Sequence, residues 1–247
     1  MGLPAGPLHG HVAMHRGLLP AALCALWLAS IERLEADRPA IDALAAGDFC
    51  VRSSSLRVPA VAAIDVAAVW QAIAAADGFG RVDATFGGRA ACDLDACWVR
   101  RQYPVADRPR RHAPHSGHQD GALGFDFASH AQRPLPDDAP LDMLTCWVAL
   151  TPCGVDAPGL ELITARTAGL LAPEALDAAH IEGRFEAADF WRPQMAPGDA
   201  LLFSGDVLHR THVNDSMRRP RCSVEFRYFA ADALPARLAH HRFARLG

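Results

Sequence analysis

The spacing of apolar residues divides the chain into a helical first part and a longer part built of short strands. Up to about residue 76, apolar positions recur at helical intervals, which predicts helices over residues 18–31 and 61–76 with a strand-like interruption at 48–52. Beyond residue 78, short apolar runs are bounded by proline, glycine or aspartate, a pattern typical of strands. Strands are predicted over residues 97–103, 122–127, 143–150, 159–163, 200–204, 207–212 and 222–230, and a helical insertion near 173–183.

Many short strands separated by turn residues predict a mainly β fold with flanking helices, either a sandwich or a jelly roll. With 247 residues, of which 51% are hydrophobic, the chain can bury one large core. We therefore expect a single domain over residues 1–247. A helix-rich part (1–78) is expected to pack on a β core (79–232), which a C-terminal tail (233–247) follows.

Charge and cysteine content narrow the class of protein. A formal net charge of −4 and a pI near 6.3 give no excess of positive charge that would attract nucleic acid, so nucleic acid is not expected as a partner. Seven cysteines without C-x-x-C pairs predict free thiols in a reducing compartment, and we expect a cytoplasmic protein. The apolar run at 18–31 is too short to cross a membrane, and charged residues follow it at once. A buried or amphipathic helix without a membrane partner is therefore expected.

The segment His118-Gln119-Asp120 is the first candidate for chemistry. On an extended strand, residues two apart point the same way, so His118 and Asp120 can reach one metal ion. The similar pair His180 and Glu182 lies in a helical pattern, where side chains two apart diverge by roughly 200°. We therefore prefer the first pair.

A third metal ligand is expected from a distant strand. His209 follows an apolar run and a short turn, while His212, its rival, lies three residues on and would face the other way on a strand. Two imidazoles and one carboxylate form the facial triad of non-haem Fe(II) oxygenases, which leaves positions open for a keto acid. An arginine best neutralises the far carboxylate of that acid, and Arg221 and Arg219 are both candidates.

These segments resemble the phytanoyl-CoA dioxygenase (PhyH) family of Fe(II)/2-oxoglutarate oxygenases. The similarity covers roughly residues 48–230 and rests on an ordered set of motifs. They are HQDG at 118–121, CWVALTPC at 146–153, GLEL at 159–162, PGDALLF at 197–203, LHRTHVN at 208–214 and RPRCSVEFR at 219–227.

The resemblance implies a double-stranded β-helix, a cupin-like jelly roll. It implies that His118, Asp120 and His209 hold Fe(II) and that Arg221 binds 2-oxoglutarate. Thr211, Trp147 and Asn214 match further positions of the co-substrate pocket and are expected to contribute to it. The sequence departs from the family around the distal histidine, where His209-Arg210-Thr211-His212 replaces His-Gly-Ser-Gly.

The activity implied is O₂-dependent oxidation of a C–H bond with conversion of 2-oxoglutarate to succinate and CO₂. Because related halogenases have alanine or glycine where this chain has Asp120, hydroxylation, desaturation or ring formation is expected. The substrate is expected to be a small molecule, with no preference for acyl-CoA assumed, and the protein to be a monomer or homodimer.

Two other classes remain open at this point. A jelly roll can serve as a binding module or pseudoenzyme, because fold does not determine function. A zinc site formed by His112, His115 and His118 is the second, although Pro114 and Gly117 make this segment a loop and no cysteine flanks it at finger spacing.

Overall fold

The computed structural model describes residues 10–42, 44, 48–50, 54–76, 86, 89–107, 112–125 and 140–246. Its core consists of two antiparallel β-sheets. The larger sheet contains β1 (Val12–His15), β2 (Phe49–Cys50), β3 (Ser55–Arg57), β4 (Ala90–Asp93), β5 (Trp98–Gln102), β7 (Leu144–Ala149), β10 (Ala200–Ser204), β12 (Arg221–Ala230) and β13 (Phe243–Leu246). The smaller sheet contains β6 (His118–Gln119), β8 (Gly159–Ile163), β9 (Phe190–Trp191) and β11 (Leu208–His212).

The order of strands is that of a jelly roll. In the larger sheet it is β1-β10-β7-β12-β5-β3-β2, with β4 joined to β12 and β13 joined to β4; in the smaller sheet it is β6-β11-β8-β9. The two sheets meet through one apolar cluster that includes Trp147 and Phe203 from the larger sheet and Leu160 and Leu162 from the smaller. The predicted mainly β, double-stranded β-helix fold is confirmed.

Among the described residues, three α-helices pack on the larger sheet, whereas the fourth packs through Ile181 on residues of the smaller sheet. They are, in this order, α1 (Ala21–Ala36), α2 (Arg38–Asp42), α3 (Val66–Ala75) and α4 (Ala178–Arg184), of which α4 lies in the predicted helical insertion. Trp27 of α1 and Trp70 of α3 pack in one cluster with Phe226 and Tyr228 of β12. None of the helices in the described part of the chain is long and apolar enough to cross a membrane.

Apolar and charged side chains alternate along β12, so that one face of the strand is apolar and the other carries charges. Its even-numbered residues from Cys222 to Tyr228 belong to the cluster under the helices. Because successive side chains of a strand point to opposite faces, Arg221, Glu225 and Arg227 face the space between the sheets. This strand therefore supplies a row of buried charges to the interior.

Several strand and helix boundaries differ from the predicted ones. The helix predicted over 61–76 begins only at Val66, because the Asp65 side chain accepts hydrogen bonds from the backbone N–H groups of Ala67 and Ala68 and so caps it. The helix predicted over 18–31 begins after Pro20 and runs to Ala36. The interruption at 48–52 contains β2, and residues 51–52 lie outside the described residues.

The strand predicted over 122–127 is wrong in its described part. Residues Asp120–Ala122 form a 3-10 turn, and Gly124 has a φ of +67°, which breaks the extended conformation. Residues 126–127 lie outside the described part of the chain. As a result, the pairing of β6 with β11 ends at Gln119, and Asp120 lies in the turn that follows.

Candidate functional site

His118, Asp120 and His209 meet at the edge of the smaller sheet. His118 of β6 pairs directly with His209 of β11, and the centroids of their rings lie 4.2 Å apart. One nitrogen or oxygen of each of the three side chains lies within 4.8 Å of the others. In the described part of the chain, this is the single group of three or more His, Cys, Asp or Glu side chains close enough to hold a metal ion.

Backbone carbonyls orient both imidazoles. Nδ1 of His118 donates to the Ser116 carbonyl at 2.7 Å, and Nδ1 of His209 donates to the Val207 carbonyl at 3.0 Å. Because a carbonyl only accepts, each Nδ1 carries the proton and each Nε2 keeps its lone pair. This is the arrangement that metal-ligating histidines usually show.

His118 is held in its neutral form. Burial, and then the neighbouring His209, lower the pKa of His118 from 6.5 to about 4. A neutral imidazole at physiological pH is the form that binds a metal ion. The ring therefore offers Nε2 without first having to lose a proton.

Asp120 accepts two hydrogen bonds from the barrel interior. Its Oδ1 accepts from Nη2 of Arg227 at 2.7 Å, and its Oδ2 accepts from Oγ1 of Thr145 at 2.6 Å. Burial disfavours the ionised form, but Arg227, His209 and His118 outweigh it and hold the pKa of Asp120 well below its usual value. The carboxylate is thus fixed in direction and negatively charged.

A chain of buried ion pairs extends from Asp120 across β12 to the loop before β6. Nη1 of Arg227 donates to Glu225 at 3.1 Å, and Glu225 accepts from Nε of Arg100 at 2.7 Å. Nη1 of Arg100 donates in turn to Nε2 of His115 at 2.7 Å. Burial opposes ionisation of Glu225, but Arg100 and Arg227 lower its pKa to about 2. Every charged side chain in this network of ion pairs therefore has an opposite charge beside it.

Sequence reasoning missed these supporting residues. Neither Arg227 nor Glu225 was singled out, although each lies an even number of positions from Arg221 on the same strand. The alternation of β12 could have placed all three on the inner face. Their contact with Asp120 depends on the register of distant strands, which the sequence does not specify.

Gln119 points to the other side and joins the loops around the site. Its side-chain amide donates to Oγ1 of Thr167, to the Gly169 carbonyl and to the Asp206 carbonyl, at 2.8 to 3.1 Å. Its Oε1 accepts from the backbone N–H of Leu171 at 2.7 Å. The alternation of Gln119 with its neighbours leaves His118 and Asp120 on the metal-facing side.

Arg221 is buried, and no residue in the described part of the chain forms an ion pair with it. Only 2% of the residue is exposed, and its Nε and Nη1 have no hydrogen-bond partner in the described structure. Its guanidinium carbon lies 4.9 Å from the ring centroid of Trp147, and burial lowers its pKa from the ordinary value. A buried arginine with two unpaired donors is costly unless an anion binds there.

The rival arginine and histidine lie elsewhere. Arg219 is largely exposed, and its Nε donates to Asp156 at 2.8 Å. His212 follows His209 on β11 but is absent from the group of potential metal ligands. The geometry thus brings together Arg221 with Trp147, and His209 with His118 and Asp120.

Thr211 and Asn214 differ in their placement. Thr211 is buried on β11, two positions after His209 and therefore on the same side of the strand. Asn214 is exposed, and its Oδ1 accepts from the backbone N–H and the hydroxyl of Ser216 in a turn. Asn214 is thus engaged in a surface turn, away from the buried residues of the site.

The zinc alternative does not fit the geometry. The ring of His112 packs against Tyr103 with centroids 5.3 Å apart, and its Nε2 lies 3.3 Å from the Arg101 carbonyl. His115 is engaged by Arg100. Of these three histidines, His118 alone belongs to the group that can hold a metal.

His118 and Asp120 of the triad line a cleft of about 480 Å³. Arg227, Trp98 and His241 also line this cleft. Clefts of this size usually hold a small molecule. Two imidazole nitrogens and a carboxylate, of which His118 and Asp120 face this cleft, fit a ferrous ion with open positions.

Comparison with known proteins agrees with this geometry. The family model of phytanoyl-CoA dioxygenase (PhyH) matches residues 9–222. No curated protein matches the chain in sequence.

Three solved structures illustrate the similarity of fold. EctD from S. alaskensis, solved with 2-oxoglutarate and 5-hydroxyectoine, has a TM-score of 0.60 and 18% identity over 91% of this chain and 73% of its own. AviO1 from Streptomyces viridochromogenes Tue57 has a TM-score of 0.58 and 17% identity over 93% of this chain and 94% of its own. The epimerase SnoN, solved with Fe³⁺, alpha ketoglutarate and nogalamycin RO, has a TM-score of 0.55 and 16% identity over 93% and 87%. At these identities the likeness concerns the fold, whereas the family match covers most of the sequence, and the chain therefore belongs to the phytanoyl-CoA dioxygenase (PhyH) family.

Proposed function

We propose that this protein is an Fe(II)- and 2-oxoglutarate-dependent dioxygenase that oxidises a C–H bond of a small molecule. The observation that carries the proposal is the combination of two oriented imidazoles and one ionised carboxylate with the buried, unpaired guanidinium of Arg221. The structures of EctD and SnoN, with 2-oxoglutarate or alpha ketoglutarate bound, support the same co-substrate here.

The roles of the residues follow from their contacts. His118 and His209 present Nε2 lone pairs, and Asp120 presents a carboxylate whose direction Arg227 and Thr145 fix. When bound, iron with O₂ and 2-oxoglutarate supplies the oxidising chemistry, in which the keto acid becomes succinate and CO₂ and a substrate C–H bond is oxidised. The chain's own part is to position the reactants and to exclude water.

Arg221 is assigned to the far carboxylate of 2-oxoglutarate. Its unpaired Nε and Nη1 can donate charge-assisted hydrogen bonds to a carboxylate, and the ring of Trp147 lies 4.9 Å from the guanidinium carbon. Trp147 and Phe203 belong to one apolar cluster, and Phe203 lies 4.7 Å from the ring of His209. The methylene groups of the keto acid would lie against this cluster, with Thr211 on the same side of β11 as His209.

We also propose that the whole chain acts as one oxygenase domain. The N-terminal strand β1 pairs with β10, and the C-terminal strand β13 pairs with β4, so both ends of the chain contribute to the larger sheet. Hydroxylation, desaturation and ring formation are all compatible with the presence of Asp120.

The test is reconstitution of the purified protein with Fe(II) under anaerobic conditions, followed by addition of O₂ and 2-oxoglutarate. We expect one equivalent of iron to bind and succinate to form only when all three are present. Asp120→Ala is the matched variant and should lose both iron and succinate formation, because it removes the only carboxylate of the triad. A protein that binds 2-oxoglutarate and iron but never forms succinate would be a binding module.

A further inference from the structure

The C-terminal segment forms a fixed wall of the cleft. Strand β13 pairs with β4, and the backbone N–H of Leu94 donates to the Arg242 carbonyl at 2.9 Å. The backbone N–H of Arg242 donates to Asp95 at 2.7 Å, and its guanidinium donates to the same carboxylate at 2.6 and 3.0 Å. These contacts fix the position of His241, which lines the cleft together with His118 and Asp120.

A buried carboxylate orients the ring of His241. Nδ1 of His241 lies 2.7 Å from Oδ2 of Asp93, whose side chain is fully buried. The other oxygen of Asp93 accepts from the backbone N–H groups of Asp95 and Ala96 at 3.0 and 3.2 Å. Because the carboxylate accepts, Nδ1 carries a proton, and in the neutral ring Nε2 is the acceptor.

Nε2 of His241 is available to a ligand. The side chain is 17% exposed, and its Nε2 has no hydrogen-bond partner in the described part of the chain. Binding sites in proteins typically combine an apolar wall with a few oriented polar groups. Ala96 and Leu123 supply apolar surface in this cleft, and His241 supplies an oriented acceptor.

The charged groups of the cleft are already paired. Arg100 binds Glu225, Arg227 binds Asp120, and Asp95 binds both Arg242 and Arg57. A charged substrate would therefore have to compete with an existing ion pair at each of these side chains. A neutral molecule meets no such competition.

His241 also lies outside the part of the chain that carries the family resemblance. The family model matches residues 9–222, which include Asp93 but end before the segment that carries His241. Residues inside the family match, such as His118 and Asp120, are suited to the chemistry that the family has in common. A residue that lines the same cleft but lies beyond the family match is suited to selecting the substrate.

We propose that His241 is a specificity-determining residue, whose Nε2 accepts a hydrogen bond from a hydroxyl group of a neutral, hydroxylated small molecule. The inference rests on the proposed function, in that it takes the cleft beside the triad as the substrate site. Asp93 is the positioning residue, because it fixes the tautomer and the orientation of the ring. The substrate class is thus a neutral alcohol or polyol of a size that fits about 480 Å³.

The test measures binding to the metal-free protein, so that its result does not depend on turnover. The probes are neutral cyclitols and methyl glycosides, each paired with its monodeoxy analogues and with a carboxylate analogue, and binding is measured by ligand-observed NMR. We expect at least one neutral member to bind, and one of its deoxy analogues to bind about two- to tenfold more weakly, the range for one neutral hydrogen bond. His241→Ala should make the two members of that pair bind equally.

Two further variants separate this role from a structural one. His240→Ala removes the exposed ring that packs edge-on against His241, with centroids 4.5 Å apart, but does not line the cleft. Because Asp93 holds the His241 ring independently, this variant should keep the wild-type preference. His241→Gln, which keeps a side-chain acceptor, should restore part of the preference. The proposal is overturned if no neutral member binds, if the carboxylate analogues bind best, or if the preference survives in His241→Ala. Failure of iron- and 2-oxoglutarate-dependent succinate formation would instead count against the proposed function, because the binding assay contains neither.

Discussion

Nη2 of Arg227 donates a hydrogen bond to Oδ1 of Asp120 at 2.7 Å, and both side chains are almost completely buried. The contact joins the middle of a long strand in the larger sheet to the turn that follows β6 in the smaller sheet. It links the strand that carries Arg221 to the proposed iron ligand. The proposed iron site and the proposed 2-oxoglutarate site are therefore both connected to β12.

Loss of Arg227 should harm both stability and metal binding. Arg227→Ala leaves Asp120 buried without its arginine partner and leaves Glu225 with Arg100 alone. Removal of one member of a buried ion pair typically costs about 3–5 kcal/mol of unfolding free energy. Metal affinity should fall about 10–100-fold, the usual effect of losing a residue that orients a ligand. Urea unfolding of the metal-free protein and calorimetric titration with Mn(II) measure the two effects.

Thr145→Val is the matched control for this prediction. It removes only the 2.6 Å hydrogen bond to Oδ2 of Asp120 and keeps the ion pair with Arg227. We therefore expect the free energy of unfolding to fall by about 1–3 kcal/mol. If Arg227→Ala binds Mn(II) as tightly as the wild type does, Arg227 does not orient Asp120 for the metal.

Much of the barrel could be predicted from the sequence, because its strands are short apolar runs bounded by turn residues. The strands predicted over 159–163 and 200–204 have the observed bounds. In contrast, β1, β4 and β13 were not predicted. The alanine-rich sequence of β4 has no strong strand preference, and its place in the sheet depends on pairing with β12 and β13.

The candidate site likewise contains residues that the sequence could predict and residues that it could not. Local motifs were enough to single out His118, Asp120 and His209, which the structure brings together. The residues around them come from long-range pairing. Examples are Arg227 on β12 and His241 beyond the family match, and no local pattern connects either residue to His118.

The distal histidine can be tested by two substitutions on β11. We expect His209→Ala to lose iron, because it removes one of three ligands, and His212→Ala to retain it, because His212 is not part of the group. Metal content after anaerobic reconstitution and gel filtration is the measurement. Iron loss in His212→Ala with full occupancy in His209→Ala would transfer the ligand role to His212.

The metal-free protein should become less stable as the pH falls below 6.5. Burial, and then Arg100, lower the pKa of His115 to about 3, while burial and His209 lower that of His118 to about 4. Both rings therefore bind protons more readily in the unfolded chain, so the free energy of unfolding decreases with falling pH until these folded-state values are passed. Between pH 6.5 and 5 we expect a loss on the order of 1–2 kcal/mol for the two rings together, after allowance for solvent screening.

The measurement for this prediction is urea unfolding at a series of pH values with a chelator present. His115→Asn removes one titrating ring and should make the pH dependence shallower between pH 6.5 and 5. A wild-type protein whose unfolding free energy rises as the pH falls through this window would contradict the assignment of neutral, buried rings.

Arg221 provides the sharpest test of the co-substrate site. Arg221→Ala leaves the iron ligands untouched but removes the charge-assisted contact to the far carboxylate, which should weaken 2-oxoglutarate binding by about 2–5 kcal/mol. The KM for 2-oxoglutarate should rise sharply, while the affinity for iron barely changes. Arg221→Lys should restore only part of the loss, because an ammonium group cannot reproduce the planar fork.

Arg219→Ala is the control for this prediction, because Arg219 is exposed and paired with Asp156. We expect its KM for 2-oxoglutarate to stay close to that of the wild type, since a surface ion pair contributes about 0–1 kcal/mol. A large loss in Arg219→Ala with a nearly unchanged Arg221→Ala would assign the contact with the far carboxylate of 2-oxoglutarate to Arg219. If neither substitution changes the dependence on 2-oxoglutarate, the unpaired donors of Arg221 serve a different anion, and the co-substrate must be identified anew.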